Sequence, residues 1–273
     1  MFPYKVLMPT IRPNWLHAIT ISLGSLGCGM ANAQSLAPLT DNLTLRAGLS
    51  FQHDDNFFRS TNATAVSEQI STQSVGINLN IPVSLQRFEL DIGLTNNLHR
   101  DFDSFDYLGK AYSAAWRWSF TPQLHGNVTS TRTETLNAPS DSLNPTLRNK
   151  NATNTHGFDA VYELGGPWQL SAGYARSTSL NEQALIGESN ERSTTYNAGV
   201  RYSLTSGNSL AYSLSQDRGT NIRDFTGLTH DFSGVWVVSG NTSLTGHLAY
   251  VNRDYSTAPQ YDYNGFAGGV NVV

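Results

Sequence analysis

Hydrophobicity alternates with a period of two along most of this chain. In residues 43–52 (LTLRAGLSFQ) the odd-numbered positions are apolar and the even-numbered positions are polar or glycine. Because successive side chains of a strand point to opposite faces of a sheet, this pattern predicts strands with one apolar and one polar face. About twelve segments follow it, and no segment has a convincing helical period. The predicted strands are 43–52, 74–83, 88–95, 108–120, 124–132, 158–164, 168–176, 196–204, 210–216, 228–238, 244–250 and 266–272.

The connections between these segments alternate between short and long. The short ones are 84–87, 121–123, 165–167, 205–208 and 239–241, and the longer ones are 53–69, 99–107, 133–156, 177–193, 217–227 and 253–260. Outer-membrane barrels have tight periplasmic turns at one rim and longer extracellular loops at the other. An open sheet edge in lipid would leave backbone groups unpaired. We therefore predict an all-β, antiparallel up-and-down transmembrane β-barrel of about twelve strands.

Composition favours this fold over a soluble β-sandwich, whose strands also alternate. Only 14% of the residues are charged, whereas soluble domains have roughly 25%. Aromatic residues stand at predicted strand ends, as at Phe51, Phe120 and Trp168, where the interfacial girdles of a barrel are expected. A mean hydropathy of -0.32 excludes a bundle of membrane helices. A net charge of -4 argues against a nucleic-acid partner.

The N-terminus has the features of an export signal. Lys5 and Arg12 precede a moderately apolar segment, 15–30, and residues 31–33 read Ala-Asn-Ala, an A-x-A cleavage pattern. We predict a signal peptide at 1–33 and an outer-membrane barrel at 34–273. A membrane anchor is the alternative, but the segment falls short of the roughly 20 apolar residues of a spanning helix. The one cysteine, Cys28, lies in this signal, so the mature protein would have no disulfide.

Four segments in the first half of the predicted barrel carry a family resemblance. They are 51–59 (FQHDDNFFR), 83–91 (VSLQRFELD), 105–112 (FDYLGKAY) and 116–118 (WRW). In this order, on a barrel pattern, they resemble the EpsL family, outer-membrane proteins encoded with exopolysaccharide biosynthesis and exosortase systems in Gram-negative bacteria. The resemblance runs over most of the mature chain. It implies a role in moving an extracellular polysaccharide across the outer membrane, and it implies no catalytic residues.

The last predicted strand departs from the usual barrel pattern. Outer-membrane barrels usually end in an aromatic residue that the assembly machinery reads, whereas residues 266–273 are FAGGVNVV. Members of the EpsL family are also longer. Two expectations follow: a complete twelve-stranded barrel with an unusual terminus, or a C-terminally truncated barrel. We favour the second.

The polar face of the strands is the expected functional surface. Taking alternate residues as inward-facing predicts a set of lumen-lining charged and histidine side chains. They are Arg46, Glu89, Asp91, Arg117, His125, Asp159, Glu163, Arg201, Asp231 and His247. A pore for a strongly anionic solute would be lined mainly by Arg and Lys, so this mixture suits a neutral or weakly charged sugar polymer. An equally good interpretation is a set of internal salt bridges that fill and brace the lumen.

Other chemistries find weaker support. Residues 53–56 (HDDN) could bind Ca²⁺, but no EF-hand-like spacing is present, and Asp and Asn at a strand end commonly satisfy local backbone groups. No histidine of the predicted mature chain has a serine two residues away, as a barrel phospholipase would need. Loose rim candidates for a barrel protease are Asp101, Asp103, Asp217, Asp224 and His230. We expect no catalytic, cofactor-binding or metal site, and no enzymatic activity.

The sequence therefore predicts a non-enzymatic outer-membrane component of an exopolysaccharide biosynthesis and export system, with the lumen as a pore for polysaccharide. Its partners would be outer-membrane lipid, polysaccharide and periplasmic export proteins, with no nucleic acid. One alternative is a structural or adhesive barrel that binds outside partners through its long loops, such as 133–156 and 177–193. The other is a barrel enzyme that works at the upper rim.

Overall fold

The structure, a computed structural model, describes residues 21–22, 42–137, 146–183, 190–204, 207–220, 223–239 and 242–272. All strands belong to one sheet, in which β1 is the two-residue strand Ile21–Ser22. The long strands are β2 Leu43–Asp54, β3 Glu68–Val83, β4 Gln86–His99, β5 Tyr107–Thr121, β6 Leu124–Leu136, β7 Lys150–Glu163, β8 Trp168–Asn181, β9 Glu191–Ser203, β10 Ser209–Thr220, β11 Asp224–Ser239, β12 Thr242–Tyr255 and β13 Tyr263–Val272.

Each strand pairs with the strand that follows it in the chain, from β1 to β13. Every one of these ladders is antiparallel. The predicted all-β, up-and-down fold with twelve long strands is thus confirmed. Apart from short 3-10 turns, such as Asp103–Phe105, the described part of the chain has no helical element.

The two edges of the long-stranded sheet are β2 and β13. Within the described ranges no ladder joins them, and β1 pairs with β2 at two positions, Ile21 with Leu49 and Ser22 with Gly48. Because the number of long strands is even, β2 and β13 run in opposite directions, as an antiparallel pair requires. The rest of residues 1–33 lies outside the described residues, so the signal peptide stays a prediction.

One face of the sheet is apolar and exposed. The ladders align Leu45 with Ile77 and Ile77 with Ile92. Leu45 is 61% exposed, Ile77 44% and Ile92 42%. Phe232 and Leu248, paired across β11 and β12, continue the same face and are also exposed. A contiguous apolar surface of this extent is unfavourable in water and is typical of a face that contacts lipid.

Aromatic side chains lie on this face near the short turns. Phe88 stacks on Trp116 with ring centroids 6.0 Å apart, and Trp168 packs against Tyr202 at 4.7 Å. Phe120 is 67% exposed beside the turn between β5 and β6. Rings that are apolar on their faces and polar at one edge are typical of the girdle at a membrane–water interface.

The strands extend farther toward the long connections than the sequence pattern predicts. β10 and β11 pair as far as Thr220 with Asp224, so the predicted bounds of the connection 217–227 are wrong. Likewise β6 and β7 pair as far as Leu136 with Lys150. These extensions are rich in Thr, Ser and Asn. Beyond a lipid belt neither face of a strand needs to be apolar, so backbone pairing continues after the alternation stops.

Candidate functional site

The ladders place the ten predicted lumen-lining residues on one face, opposite the apolar face. Residues that pair across a ladder share a face; Asn127, for example, pairs with both Arg117 and Asp159. Following such pairs from strand to strand unites Arg46, Glu89, Asp91, Arg117, His125, Asp159, Glu163, Arg201, Asp231 and His247. The register therefore agrees with the face that alternation assigned to them. Their role in lining a lumen remains a prediction.

Arg46 on β2 reaches across β3 to Asp91 on β4. Its Nη2 lies 2.6 Å from Asp91 Oδ1, and Asn78 Nδ2 donates to Asp91 Oδ2 at 3.1 Å. Gly76 lies between them and has no side chain; a Cβ there would be 3.1 Å from Arg46 Nη2. The glycine therefore leaves the space through which the arginine crosses one strand to its carboxylate.

Arg117 on β5 forms a two-point ion pair with Glu89 on β4. Its Nε and Nη2 donate to the two carboxylate oxygens, each at 3.0 Å. Arg87 Nη1 approaches the same carboxylate at 3.9 Å. The parallel arrangement of two N–H donors and two oxygens is the geometry that an arginine–carboxylate pair prefers.

Two more acids on this face have neighbouring partners. Asn127 Nδ2 donates to both oxygens of Asp159, at 3.2 and 3.0 Å. His247 Nδ1 lies 3.4 Å from Asp231 Oδ2. Together with Glu89 and Asp91, these carboxylates are compensated by the adjacent strands.

The ion pairs of the polar face remain open to solvent. The side chains of Arg46 and Arg117 are 54% and 56% exposed. The partner of Arg117 is on the adjacent strand and that of Arg46 is two strands away, so both pairs stay within one part of the sheet. Of the two sequence interpretations, internal salt bridges do form, but they lie along the wall. Exposed pairs of this kind contribute only about 0–1 kcal/mol each.

His125, Glu163 and Arg201 share the face but join no part of this network. Within the described residues none has an ion pair or a side-chain hydrogen bond. Gln169 pairs with both Glu163 and Arg201 across its two ladders and so separates them. These three residues lie toward the short-turn end of the sheet.

At the opposite end Glu68, the first residue of β3, binds the backbone of the connection 100–106. Its side chain is completely buried, and its Oε1 accepts the backbone N–H of Gln69 at 2.6 Å and of Arg100 at 3.0 Å. Its Oε2 accepts from Phe102 at 3.0 Å, and both oxygens lie 3.3 Å from the N of Asp101. The sequence gives no indication of this role of Glu68, because its donors other than Gln69 are 32 to 34 residues away.

An aromatic cluster lies at the same rim. Phe57 stacks on Phe102 at 5.8 Å and meets Phe105 edge to face at 5.3 Å, while Phe58 packs on Phe102 at 4.9 Å. Phe57 and Phe105 are only 6% and 2% exposed. We call Glu68 with Phe57, Phe58, Phe102 and Phe105 the rim cluster. Phe57 and Phe58 thus pack against aromatic side chains of the protein.

Asp54 at the end of β2 interacts with its own loop. Arg59 Nη1 and Nη2 donate to its two oxygens at 2.7 and 2.8 Å, and the N–H of Asn56 donates at 3.0 Å. His53 Nε2 lies 2.8 Å from Asp55. Asp54 therefore satisfies local groups, and no cluster of three His, Cys, Asp or Glu suited to a metal occurs in the ranges that the structure describes.

The loose protease candidates do not converge. His230 lies on the apolar face, where its Nδ1 is 2.8 Å from the hydroxyl of Tyr212. Asp217 accepts from Thr195 at 2.6 Å on the polar face. Asp224 accepts from Thr220, also at 2.6 Å. The geometry gives none of these acids a histidine partner.

Known proteins offer only distant similarity. No protein-family model matches the chain, and no curated protein matches it. Among solved structures it is similar to OmpT, an outer membrane protein of Vibrio cholerae, at 6% identity over 84% of this chain and 91% of that one, with a TM-score of 0.43. It is also similar to the beta domain of the Bordetella autotransporter BrkA, at 11% identity over 85% and 98%, with a TM-score of 0.37.

The chemistry of the two faces of the sheet indicates the environment in which the protein folds. None of the described helices is long and apolar enough to cross a membrane. One face of the strands is exposed and apolar and carries aromatic residues near the short turns, whereas the other is polar and charged. This combination on an up-and-down meander is that of an outer-membrane β-barrel.

Proposed function

We propose that this chain is the outer-membrane barrel of an exopolysaccharide export system, and that its polar face lines a pore for a neutral or weakly charged sugar polymer. The resemblance of residues 51–118 to the EpsL family supports a polysaccharide as the transported solute. The chemistry of the polar face supports a solute with little or no charge.

A row of five hydroxyl side chains on the polar face carries this proposal. Ladder pairs connect Ser113 to Thr131, Thr131 to Thr155, Thr155 to Ser177, and Ser177 to Ser193, across β5 to β9. Thr155 Oγ1 and Ser177 Oγ are 3.2 Å apart. We call these residues the hydroxyl row. Hydroxyls both donate and accept, so a passing sugar can exchange one hydrogen bond for the next without a deep binding minimum.

The charges beside the hydroxyl row are suited to the same solute. Asp91 pairs with Ser113 across its ladder and is neutralised by Arg46, and Glu89 is neutralised by Arg117. Compensated pairs produce a weak field at a distance, particularly at physiological salt, where charges more than about 8 Å apart are screened. A polymer with few charges would therefore meet neither strong attraction nor strong repulsion.

Liposome swelling tests the proposal. Proteoliposomes that contain the refolded protein are placed in isotonic solutions of neutral oligosaccharides or of uronic-acid oligosaccharides of equal length. We expect faster swelling with the neutral series, because the polar face offers hydrogen bonds to any sugar. Its ten charged and histidine residues named above include five carboxylates against three arginines, which disfavours an anionic sugar. Faster entry of the anionic series would contradict the proposal.

A pair of variants tests the hydroxyl row itself. Thr131→Val with Thr155→Val removes two hydroxyls and keeps the side-chain volume, and we expect neutral oligosaccharide flux to fall severalfold while small-ion conductance is retained. Thr178→Val, on the opposite face, is the matched control and should leave the flux unchanged. Equal flux through the wild type, the double variant and the control would show that the hydroxyl row does not contribute to sugar transport.

The rim cluster favours a second candidate, a barrel that holds external polymer or partners through ordered loops. Replacing 55–67 by a short Gly-Ser turn removes Phe57 and Phe58. If the loops are the binding surface, this variant should lose retention of soluble exopolysaccharide on immobilised protein and keep the swelling rate. Loss of swelling with retained binding would exclude the candidate.

A further inference from the structure

Three arginines converge on the outer, lipid-facing side of β8, β9 and β10. Arg176, Arg192 and Arg218 line one open groove of about 310 Å³ together with Thr194 and Thr220. Ladder pairs of Thr194 with both Arg176 and Arg218 show that these side chains share a face. The sequence analysis singled out none of them, since a parity pattern gives no reason to expect basic residues on the apolar face.

The groove lies just above the apolar belt. Two residues closer to the short turns on the same face, Tyr174 pairs with Tyr196, with ring centroids 5.3 Å apart. From Trp168 near the short turns to Arg176 the strand rises about 26 Å, or about 20 Å along the membrane normal at a tilt near 40°. This height, at the long-connection end, corresponds to the headgroup layer of the outer leaflet when the long loops face outside.

None of the three guanidinium groups forms an ion pair or a side-chain hydrogen bond within the described residues. The one acid that lines the groove, Asp224, already accepts a hydrogen bond from Thr220 at 2.6 Å. Elsewhere on the same face Arg132 and Lys150 both form ion pairs with Glu134. The groove therefore has a net positive charge that a neighbouring molecule can compensate.

We propose that this groove binds the phosphate groups of a phosphorylated glycolipid in the outer leaflet. Arginine presents a planar set of N–H donors that matches phosphate oxygens, and the hydroxyl of Thr194 can donate to the same groups. Acyl chains of the lipid would lie along the apolar belt below Tyr174 and Tyr196. The site rests on the barrel fold and not on what passes through its lumen.

Binding of bisphosphorylated lipid A to the refolded full-length protein in neutral detergent tests this site, for example by native mass spectrometry. We expect Arg192→Gln with Arg218→Gln to weaken binding at least tenfold. Arg100→Gln with Arg132→Gln changes the net charge equally at other positions and should stay within twofold. Equal weakening in both double variants would reduce the binding to general charge attraction and overturn the proposal.

Three further results would also decide the matter. Dephosphorylated lipid A should bind no better to the wild type than to the groove variant. Full competition by millimolar inorganic phosphate, or equally tight binding of a deacylated phosphosugar, would show a site for a soluble anion and would contradict the lipid assignment. If the double variant does not refold, Arg176→Gln alone should still weaken lipid A binding severalfold, and unchanged binding would overturn the site.

Discussion

Glu68 accepts hydrogen bonds from the backbone amides of Gln69, Arg100 and Phe102 while its side chain is completely buried. Its replacement by Gln keeps the shape but turns an NH₂ group toward N–H donors. We expect Glu68→Gln to reduce the free energy of unfolding by about 2 kcal/mol, because buried donors lose their acceptor. Urea unfolding of the refolded protein measures this. The exposed Glu163→Gln is the control and should change stability by no more than about 0.5 kcal/mol.

Arg117 compensates the charge of Glu89 on the polar face and contributes little to stability. Its pair with Glu89 is exposed, so its removal should cost little stability but leave an uncompensated carboxylate on the polar face. We expect Arg117→Ala to shift the reversal potential in a salt gradient toward cation selectivity. The neutral double variant Glu89→Gln with Arg117→Gln should return it toward the wild-type value. A single variant with unchanged selectivity would show that this face does not border the conducting path.

At the scale of elements, close strand contacts depend on particular glycines. A Cβ on Gly126 of β6 would collide with the carbonyl oxygen of Asp159 and lie 2.6 Å from the ring of Trp118, whereas one on Gly246 of β12 would meet its nearest atoms at 3.9 Å. We expect Gly126→Ala to destabilise the barrel by about 1–3 kcal/mol through overpacking. Gly246→Ala should be nearly neutral. Urea midpoints that are equal for the two variants would contradict the packing at Trp118.

The strands show which features of the fold can be predicted from a period of two in the sequence. Alternation located all twelve long strands, because lipid on one side requires an apolar residue at every second position. It misplaced their upper ends, as between Asp217 and Gly227, where pairing continues in a polar segment. The rim cluster and the arginine groove depend on contacts between distant segments, and a period of two carries no information about those contacts.

At the scale of the molecule, the two faces of the sheet have opposite chemistry. The apolar face carries a belt for lipid with arginines above it, and the polar face carries hydroxyls and compensated charges. Parity places ten charged and histidine residues on one face, and the ladders agree with that face. Transport requires that this face enclose a continuous water-filled path.

Single-channel recording in planar bilayers tests that central claim most directly. We predict that the refolded protein gives discrete conductance steps, and that a neutral exopolysaccharide added to one side blocks them in a concentration-dependent way. Folded protein that leaves the bilayer silent, or steps that the polymer does not affect, would contradict the account.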